Sequence, residues 1–178
     1  LGDPDSNQDV EVTYVKDGQA SRVRGRAVVL ACWNGVIPYL CPELPKRQRE
    51  ALAYGVKAPL VYTNVLLRNW QSLIESGVSS VSAPGGYHQS LGLGTSLSFG
   101  GYQTSQNPDD PIVLRMSRYP FEPGYSKAEQ HRRGRRDLLS TSFETFEFKI
   151  RSQLERTFGP GGLDPDRDIL GITVNRWP

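Results

Sequence analysis

The chain has 178 residues, of which 37% are hydrophobic and 22% are charged, and its formal net charge is +2 from 21 Lys and Arg against 19 Asp and Glu. This length suits one domain with a sizeable core. The nearly balanced charge argues against a nucleic-acid-binding protein, because phosphate binding needs a one-sided basic surface, and no apolar run approaches the about 20 residues of a membrane-spanning helix.

The N-terminal part predicts a β-hairpin that leads into a buried strand. Apolar and polar residues alternate over Val10–Tyr14, Asp17-Gly18 supplies a turn, and a second strand follows. The apolar run Ala27–Cys32 lacks alternation, as in a parallel strand covered on both faces. No βαβ series follows to supply parallel neighbours, so we expect these neighbours upstream of Leu1. The chain starts without a charged-then-apolar leader, so we expect that any targeting signal was removed or belongs to an upstream part.

The middle of the chain predicts a mixture of short helices and strands. A stretch rich in Gly and Ser covers residues 78–102. The predicted elements are a helix over Lys46–Tyr54, a strand over Leu60–Leu67, helical turns over Trp70–Glu75, strand pieces near Val81 and over Ser96–Phe99, and a strand over Ile112–Tyr119.

Two helices are predicted near the C-terminus, each from a capping box. Ser126 with Glu129 begins the first, and Thr141 with Glu144 begins the second, because the hydroxyl accepts from a free N–H while the Glu reaches back. The second helix carries an apolar stripe expected to face the core, formed by Phe143, Phe146, Ile150, Leu154 and Phe158.

The end of the chain completes the predicted fold class. Gly159-Pro160 ends the second helix, and Ile169–Val174 predicts a last strand. Strands and helices mix without a repeat, which predicts an α+β fold with a mixed β-sheet and flanking helices.

Several motifs of nucleotide-binding proteins and hydrolases are missing from the sequence. Gly92-Leu93-Gly94 would need a third glycine at position 97 to form GxGxxG, and Leu97 stands there. There is no GxxxxGK[ST] phosphate loop and no GxSxG nucleophile elbow. The glycine-rich loop is therefore interpreted as a loop only, and a self-contained hydrolase is not expected.

The sequence does not predict a metal site. Cys32 and Cys41 form no CxxC, and His88 and His131 lie far from them, whereas a zinc site needs about four ligands. The two cysteines are interpreted as ordinary thiols, with a disulfide as the alternative if the protein is exported. The basic run over residues 131–136 is interpreted as a solvated helix face, with an anion or a partner protein as the alternative.

Four stretches, in their order along the chain, resemble FAD-dependent amine oxidases. They are Arg26–Cys32 after a hairpin, Pro42–Gly55, Lys57–Leu67 and Ile172–Pro178. Within this superfamily, the sequence is most similar to the bacterial spermidine dehydrogenase-like branch. The similar stretches are Ala31–Asn34, Pro38–Pro45, Val61–Val65, Ala83–His88 and Asn175–Pro178.

The resemblance implies that the chain is an internal part of a longer protein, which we call the parent protein. Residues 1–32 would be the tail end of its FAD-binding domain, and residues 33–178 would be a substrate-domain-like α+β region. The parent would remove a hydride from the carbon next to an amine by means of FAD. We expect no FAD in this chain alone, since the Rossmann and C-terminal flavin-binding segments would lie elsewhere in the parent. The chain alone is therefore expected to be inactive.

The branch carries further expectations for the parent. Its substrate would be a small-molecule amine such as spermidine, and twin-arginine export would place it in the periplasm. Some members of the branch contain haem, for which His88 and Met116 are the available ligands by chemistry, although a structural role is the simpler interpretation of each. The apolar run Val28–Leu30 is expected to pair poorly, or to be covered by self-association with another copy.

The resemblance also names site residues. Lys57 would be the lysine near the flavin, at a shorter spacing than is usual in the family; the alternative is a solvated lysine at a strand edge. Trp177 occupies the position of the tryptophan beside the flavin, with core packing as its alternative. On their chemistry, the aromatic residues Tyr87, Tyr102 and Tyr119 would help to line an amine cavity, since ring faces attract ammonium groups; the alternative is that they are ordinary strand tyrosines.

A second hypothesis belongs to another class of protein. The chain would be a non-enzymatic binding or assembly module with a closed α+β fold, in which the hairpin and the Val28–Leu30 strand complete a sheet by themselves. A GxGxxG strand-turn-helix upstream and a Gly-rich segment downstream in the parent would decide for the flavoenzyme.

Overall fold

The computed structural model describes residues 9–94 and 97–178. The chain divides into two compact units, Leu1–Val56 and Lys57–Pro178. The division after Val56 lies 24 residues beyond the domain boundary that the sequence predicts between residues 32 and 33. The predicted boundary separates parts of a longer protein, and it stays a prediction.

The first unit contains the predicted hairpin. Strands β1 (Val10–Lys16) and β2 (Gln19–Gly25) pair antiparallel, with Lys16 opposite Gln19. Both turn residues have positive φ, 52° at Asp17 and 75° at Gly18. This is the two-residue turn whose twist matches that of the strands, which is why Asp-Gly predicts it well.

The predicted buried strand after the hairpin is wrong for this structure. Residues 27–32 form no strand, and Val29 is 89% exposed. A strand without alternation needs covered faces and parallel neighbours, and every strand pair in the described residues is antiparallel. The described part of the chain therefore offers this apolar run no parallel strand to pair with.

The rest of the first unit is helical. A 3-10 turn over Asn34–Val36 leads into α1 (Ile37–Leu40). Helix α2 covers Lys46–Tyr54 and confirms the predicted bounds. Pro45 stands at its N-cap, where the missing N–H of proline costs nothing.

The second unit is a five-stranded sheet with helices. The strand order is β4-β5-β6-β3-β7, and all of its described pairs are antiparallel. The strands are β3 (Leu60–Leu67), β4 (Ser80–Ser82), β5 (Ser90–Leu93), β6 (Ile112–Arg118) and β7 (Ile169–Trp177). The helices are α3 (Gln71–Glu75), α4 (Lys127–Ser140), α5 (Phe143–Phe158) and α6 (Pro165–Asp168), with a 3-10 turn over Gly159–Gly161.

This architecture confirms the predicted α+β class with flanking helices. The strand predicted over Ser96–Phe99 begins outside the described residues, and Phe99 makes only an isolated bridge with Tyr102. No helix in the described residues is long and apolar enough to span a membrane.

The core lies between one face of the sheet and helices α4 and α5. In β3 alternate residues are buried, including Val61, Val65 and Leu67. Phe146, Ile150, Leu154 and Phe158 of α5 join the same cluster, which confirms four of the five predicted stripe positions.

The fifth stripe position, Phe143, is 47% exposed, so that prediction is wrong. Phe143 is the first residue of α5. Arg176, next to the end of β7, donates to the carbonyl of Thr141 just before the helix, 3.3 Å away. The first turn of α5 therefore lies beside the end of the sheet, where Phe143 has little core to pack against.

The two predicted caps fare differently. The Ser126 hydroxyl accepts from the N–H of Glu129 at 3.4 Å, which confirms the hydroxyl half of the first capping box. The Glu129 carboxylate accepts from Arg132 and Arg133 instead of reaching back to the N-cap. The second cap is Ser142, which accepts from the N–H of Thr145 at 3.3 Å, so the assignment to Thr141 is wrong by one residue. Thr141 ends α4 instead, because its hydroxyl donates to the carbonyl of Asp137 at 2.7 Å.

Candidate functional site

The sheet face opposite the core is the floor of a cavity of about 850 Å³. Side chains alternate along a strand, so the residues between the buried positions of β3 point to this second face. Asn64 and Leu66 of β3 line the cavity, together with Val113 and Arg115 of β6 and Thr173 of β7. We call this second face the open face.

A polar row crosses the open face over three neighbouring strands. In register, Asn64 lies opposite Arg115 on one side and opposite Thr173 on the other. The Asn64 side-chain amide donates to the Thr173 hydroxyl at 3.2 Å. That hydroxyl acts as acceptor toward Asn64, so its own hydrogen is not used in this bond.

Apolar side chains surround the polar row. Leu66 and Val113, opposite each other in register, form the next row of the floor. Phe99 and Tyr102 belong to the lining and are joined by backbone hydrogen bonds of 3.2 and 3.1 Å in both directions. Phe99 is 84% exposed. A cavity with apolar walls and few polar groups is the usual form of a small-molecule site.

Of the three candidate tyrosines, Tyr102 lines this cavity and Tyr87 lies on the core face. The Tyr87 ring contacts Phe146 edge-on, with 6.2 Å between ring centroids. The Arg118 guanidinium already lies over that ring, 4.1 Å from its centroid. Burial raises the pKa of Tyr87, and the nearby Arg118 opposes this rise.

Tyr119 lies in a different place again. It follows β6, is exposed, and its N–H donates to the side-chain oxygen of Gln89 at 2.9 Å. It lines a separate, smaller cavity of about 280 Å³ with Pro59, Phe121 and His131 among its walls. The structure thus brings one candidate tyrosine to the open-face cavity and places the other two outside its lining.

Lys57 and Trp177 lie at one end of the sheet. Lys57 is half-buried and stands three residues before β3 instead of beginning it. Trp177 is the last residue of β7, opposite Leu60 in register, and is exposed. Core packing is therefore not what holds Trp177, and both residues remain candidates for contact with a group that this chain does not contain.

His88 and Met116 are core residues of the second unit. Both are buried, and His88 Nε2 lies 3.1 Å from the Thr63 hydroxyl. Gln153 holds the backbone of His88 at both ends, accepting from its N–H at 2.9 Å and donating to its carbonyl at 2.8 Å. Burial lowers the pKa of His88 to about 4, so the ring is neutral at pH 7.

The remaining sequence features are the two cysteines, the absence of a predicted metal site and the basic run. Cys32 and Cys41 are both free thiols, so the structure has no disulfide between them. No cluster of three or more His, Cys, Asp or Glu that could hold a metal occurs in the described residues. In the basic run, Arg133 pairs with Glu122 and Glu129, each at 3.1 Å, as expected for a solvated face.

Sequence reasoning missed the polar row of the open face. Asn64, Arg115 and Thr173 belong to three strands that are distant in sequence. The period of two along Leu60–Leu67 places Asn64 on the same face as Leu66, but both faces of this strand are largely apolar in sequence, so the sequence does not show which face is buried. The pairing of Asn64 with Arg115 and Thr173 depends on strand register, which a single sequence does not specify.

Comparisons with known proteins support the amine oxidase fold. The chain is similar to wild-type putrescine oxidase bound to putrescine, with 16% identity and a TM-score of 0.55 over 91% of this chain and 30% of that chain. A triple mutant from a redesign of cofactor binding in putrescine oxidase gives 14% identity and a TM-score of 0.57, over 93% and 33%. Neither a protein-family model nor a curated protein matches the sequence. The chain is thus similar in fold to about a third of putrescine oxidase.

Proposed function

We propose that the parent protein is an FAD-dependent oxidoreductase that oxidises an amine, and that this chain forms one wall of its substrate cavity. The observation that carries the proposal is the open-face cavity of about 850 Å³ within an amine oxidase fold. The aromatic and aliphatic lining suits the hydrocarbon part of an aliphatic amine.

The residues of this chain do not suit FAD binding by themselves. A dinucleotide needs a glycine turn at a helix N-terminus for its pyrophosphate, and the sequence contains no GxGxxG. In the proposal FAD is therefore held by other parts of the parent. Lys57 and Trp177, at one end of the sheet, are the proposed points of approach to it from this chain.

A polyamine such as spermidine is the first substrate to test, on the resemblance to the spermidine dehydrogenase-like branch. The same resemblance supports twin-arginine export to the periplasm. A substrate amine is mostly protonated at neutral pH, so the cavity must favour its neutral form before a hydride can leave. The lining described here carries Arg115 and no carboxylate, so a polyamine would need acidic partners from the rest of the parent.

The direct test is anaerobic mixing of the intact parent with spermidine while the flavin spectrum is recorded. We expect the flavin to bleach, since the amine would reduce it. If spermidine and a panel of primary and secondary amines all leave the flavin oxidised, amine oxidation is excluded, and the binding or assembly module becomes the better account.

Lys57 provides a sharper test of the proposed flavin contact. We expect Lys57→Met in the intact parent to slow flavin turnover on the order of 10²-fold, the lower range for a positioned proton-transfer group. FAD content and thermal stability should stay unchanged. The matched control is Lys46→Met, an exposed lysine at the start of α2, which should turn over like the wild type; equal rates in all three proteins would remove Lys57 from the site.

A further inference from the structure

Arg115 is the charged residue of the open-face cavity. The described residues of the lining include no Asp or Glu, and no ion pair of Arg115 occurs in the described part of the chain. A guanidinium keeps its charge at every pH at which the protein is folded. The cavity therefore presents one uncompensated positive charge to a ligand.

The Arg115 side chain is exposed, and Gly94 lies next to it. The Arg115 side chain packs over Gly94, where an added Cβ would lie 3.3 Å from Nε and 3.6 Å from Cζ. The absence of a side chain at Gly94 leaves the guanidinium its room. Across the floor, the Thr173 hydroxyl is a second donor on the same polar row, since its hydrogen is not used in the bond with Asn64.

We propose that Arg115 binds a carboxylate, and that the cavity takes an amine that also carries a carboxylate, as in a linear amino acid. This inference rests on the proposed function and narrows its substrate class. A guanidinium matches the two oxygens of a carboxylate, while Leu66, Val113 and Phe99 offer apolar surface to the carbon chain. A diamine of the same length would place an ammonium beside the guanidinium, where like charges repel.

The first experiment uses two ligands that differ in one end group, 4-aminobutyrate and putrescine. Each is titrated into the 178-residue chain by NMR, with the Arg115 Nε–H and the Asn64 side-chain amide as reporters. We expect 4-aminobutyrate to shift both signals and to bind about tenfold tighter than putrescine or better, as loss of a hydrogen bond to a charged group implies. Arg115→Gln should abolish this difference, and Arg136→Gln, an exposed arginine on α4, should keep it.

A further variant shows whether Arg115→Gln acts by removing the positive charge or by damaging the fold. Arg115→Lys, which restores a cation at the position, should recover part of the preference for 4-aminobutyrate. Putrescine binding as tightly as 4-aminobutyrate, or neither ligand shifting the reporters in a wild-type chain with a folded spectrum, would overturn the inference.

A second experiment separates this inference from the proposed function. Flavin reduction in the intact parent is compared for 4-aminobutyrate, putrescine and spermidine. If only the polyamines bleach the flavin, and they do so at the same rate in Arg115→Gln, then Arg115 does not bind a substrate carboxylate. The proposal of amine oxidation is kept in that case. No bleaching by any amine rejects the proposed function, and the NMR preference for the carboxylate still decides the role of Arg115.

Discussion

His88 shows how one buried residue makes the stability of this fold depend on pH. Its pKa falls from 6.5 to about 4 because burial disfavours the charged ring. The folded state therefore binds fewer protons than the unfolded state between these values. The free energy of unfolding that His88 contributes is present above about pH 6.5 and is lost as the pH falls toward 4.

We expect the wild-type chain to lose about 2 kcal/mol of unfolding free energy through His88 between pH 7 and pH 5. Urea unfolding at the two pH values measures this loss. In His88→Asn the loss should be smaller by the same amount, even if the variant is less stable at both pH values. Equal losses in wild type and variant would show that His88 titrates normally in the folded chain.

Residue identity alone gave limited access to the candidate site. Aromatic chemistry pointed to Tyr102, which lines the open-face cavity, and also to Tyr87, whose ring is already covered by Arg118 and Phe146. The face on which a tyrosine lies depends on the phase of its strand or turn. Near Tyr87 the turn that begins at Ala83 sets that phase, and turns of this kind are not specified by composition.

At the scale of elements, helix α5 depends on its apolar stripe. Phe146 is 2% exposed in the core, whereas Phe148, two residues away on the same helix, is 66% exposed. We expect Phe146→Ala to cost about 3–5 kcal/mol of unfolding free energy. Phe148→Ala should stay within about 0.5 kcal/mol. Denaturant unfolding of both variants tests the predicted orientation, and similar costs would contradict it.

Helix α4 carries a glycine at a point of close packing. A Cβ at Gly134 would overlap the carbonyl oxygen of Pro120. Alanine normally stabilises a helix interior relative to glycine by about 0.5–1 kcal/mol. Here we expect Gly134→Ala to destabilise the chain by about 1–3 kcal/mol instead. Gly85→Ala, where the structure shows open space, should change the melting temperature little, and a stabilised Gly134→Ala would contradict the packing.

Elements with strong local signals were predictable from the sequence. Asp17-Gly18 specifies the hairpin turn, and α2 and β3 have the predicted bounds. The cap of α5 was shifted by one residue because Thr141 and Ser142 are adjacent hydroxyls, and the end of α4 takes the first. The strand predicted at residues 27–32 was wrong, because a strand there would need pairing partners distant in sequence or outside this chain.

At the scale of the whole molecule, the fold divides the second unit into a packed face and an open face. The packed face holds the core of β3, β6 and α5, and the open face carries the polar row and the apolar lining of the cavity. Such a division suits a sheet that bears a ligand on one side. The α+β class was predictable from the order of elements, whereas the cavity appears only once the strand register is known.

The most direct test of this account fills the cavity in the intact parent. Leu66→Trp adds bulk on the open face, and Leu139→Trp adds the same bulk on the exposed side of α4. If the open face is the substrate wall, Leu66→Trp lowers kcat/KM for flavin reduction by the amine substrate about tenfold or more, because a misplaced substrate reacts much more slowly. Leu139→Trp keeps the wild-type value. Unchanged kcat/KM in a folded, FAD-loaded Leu66→Trp parent would show that the substrate binds elsewhere.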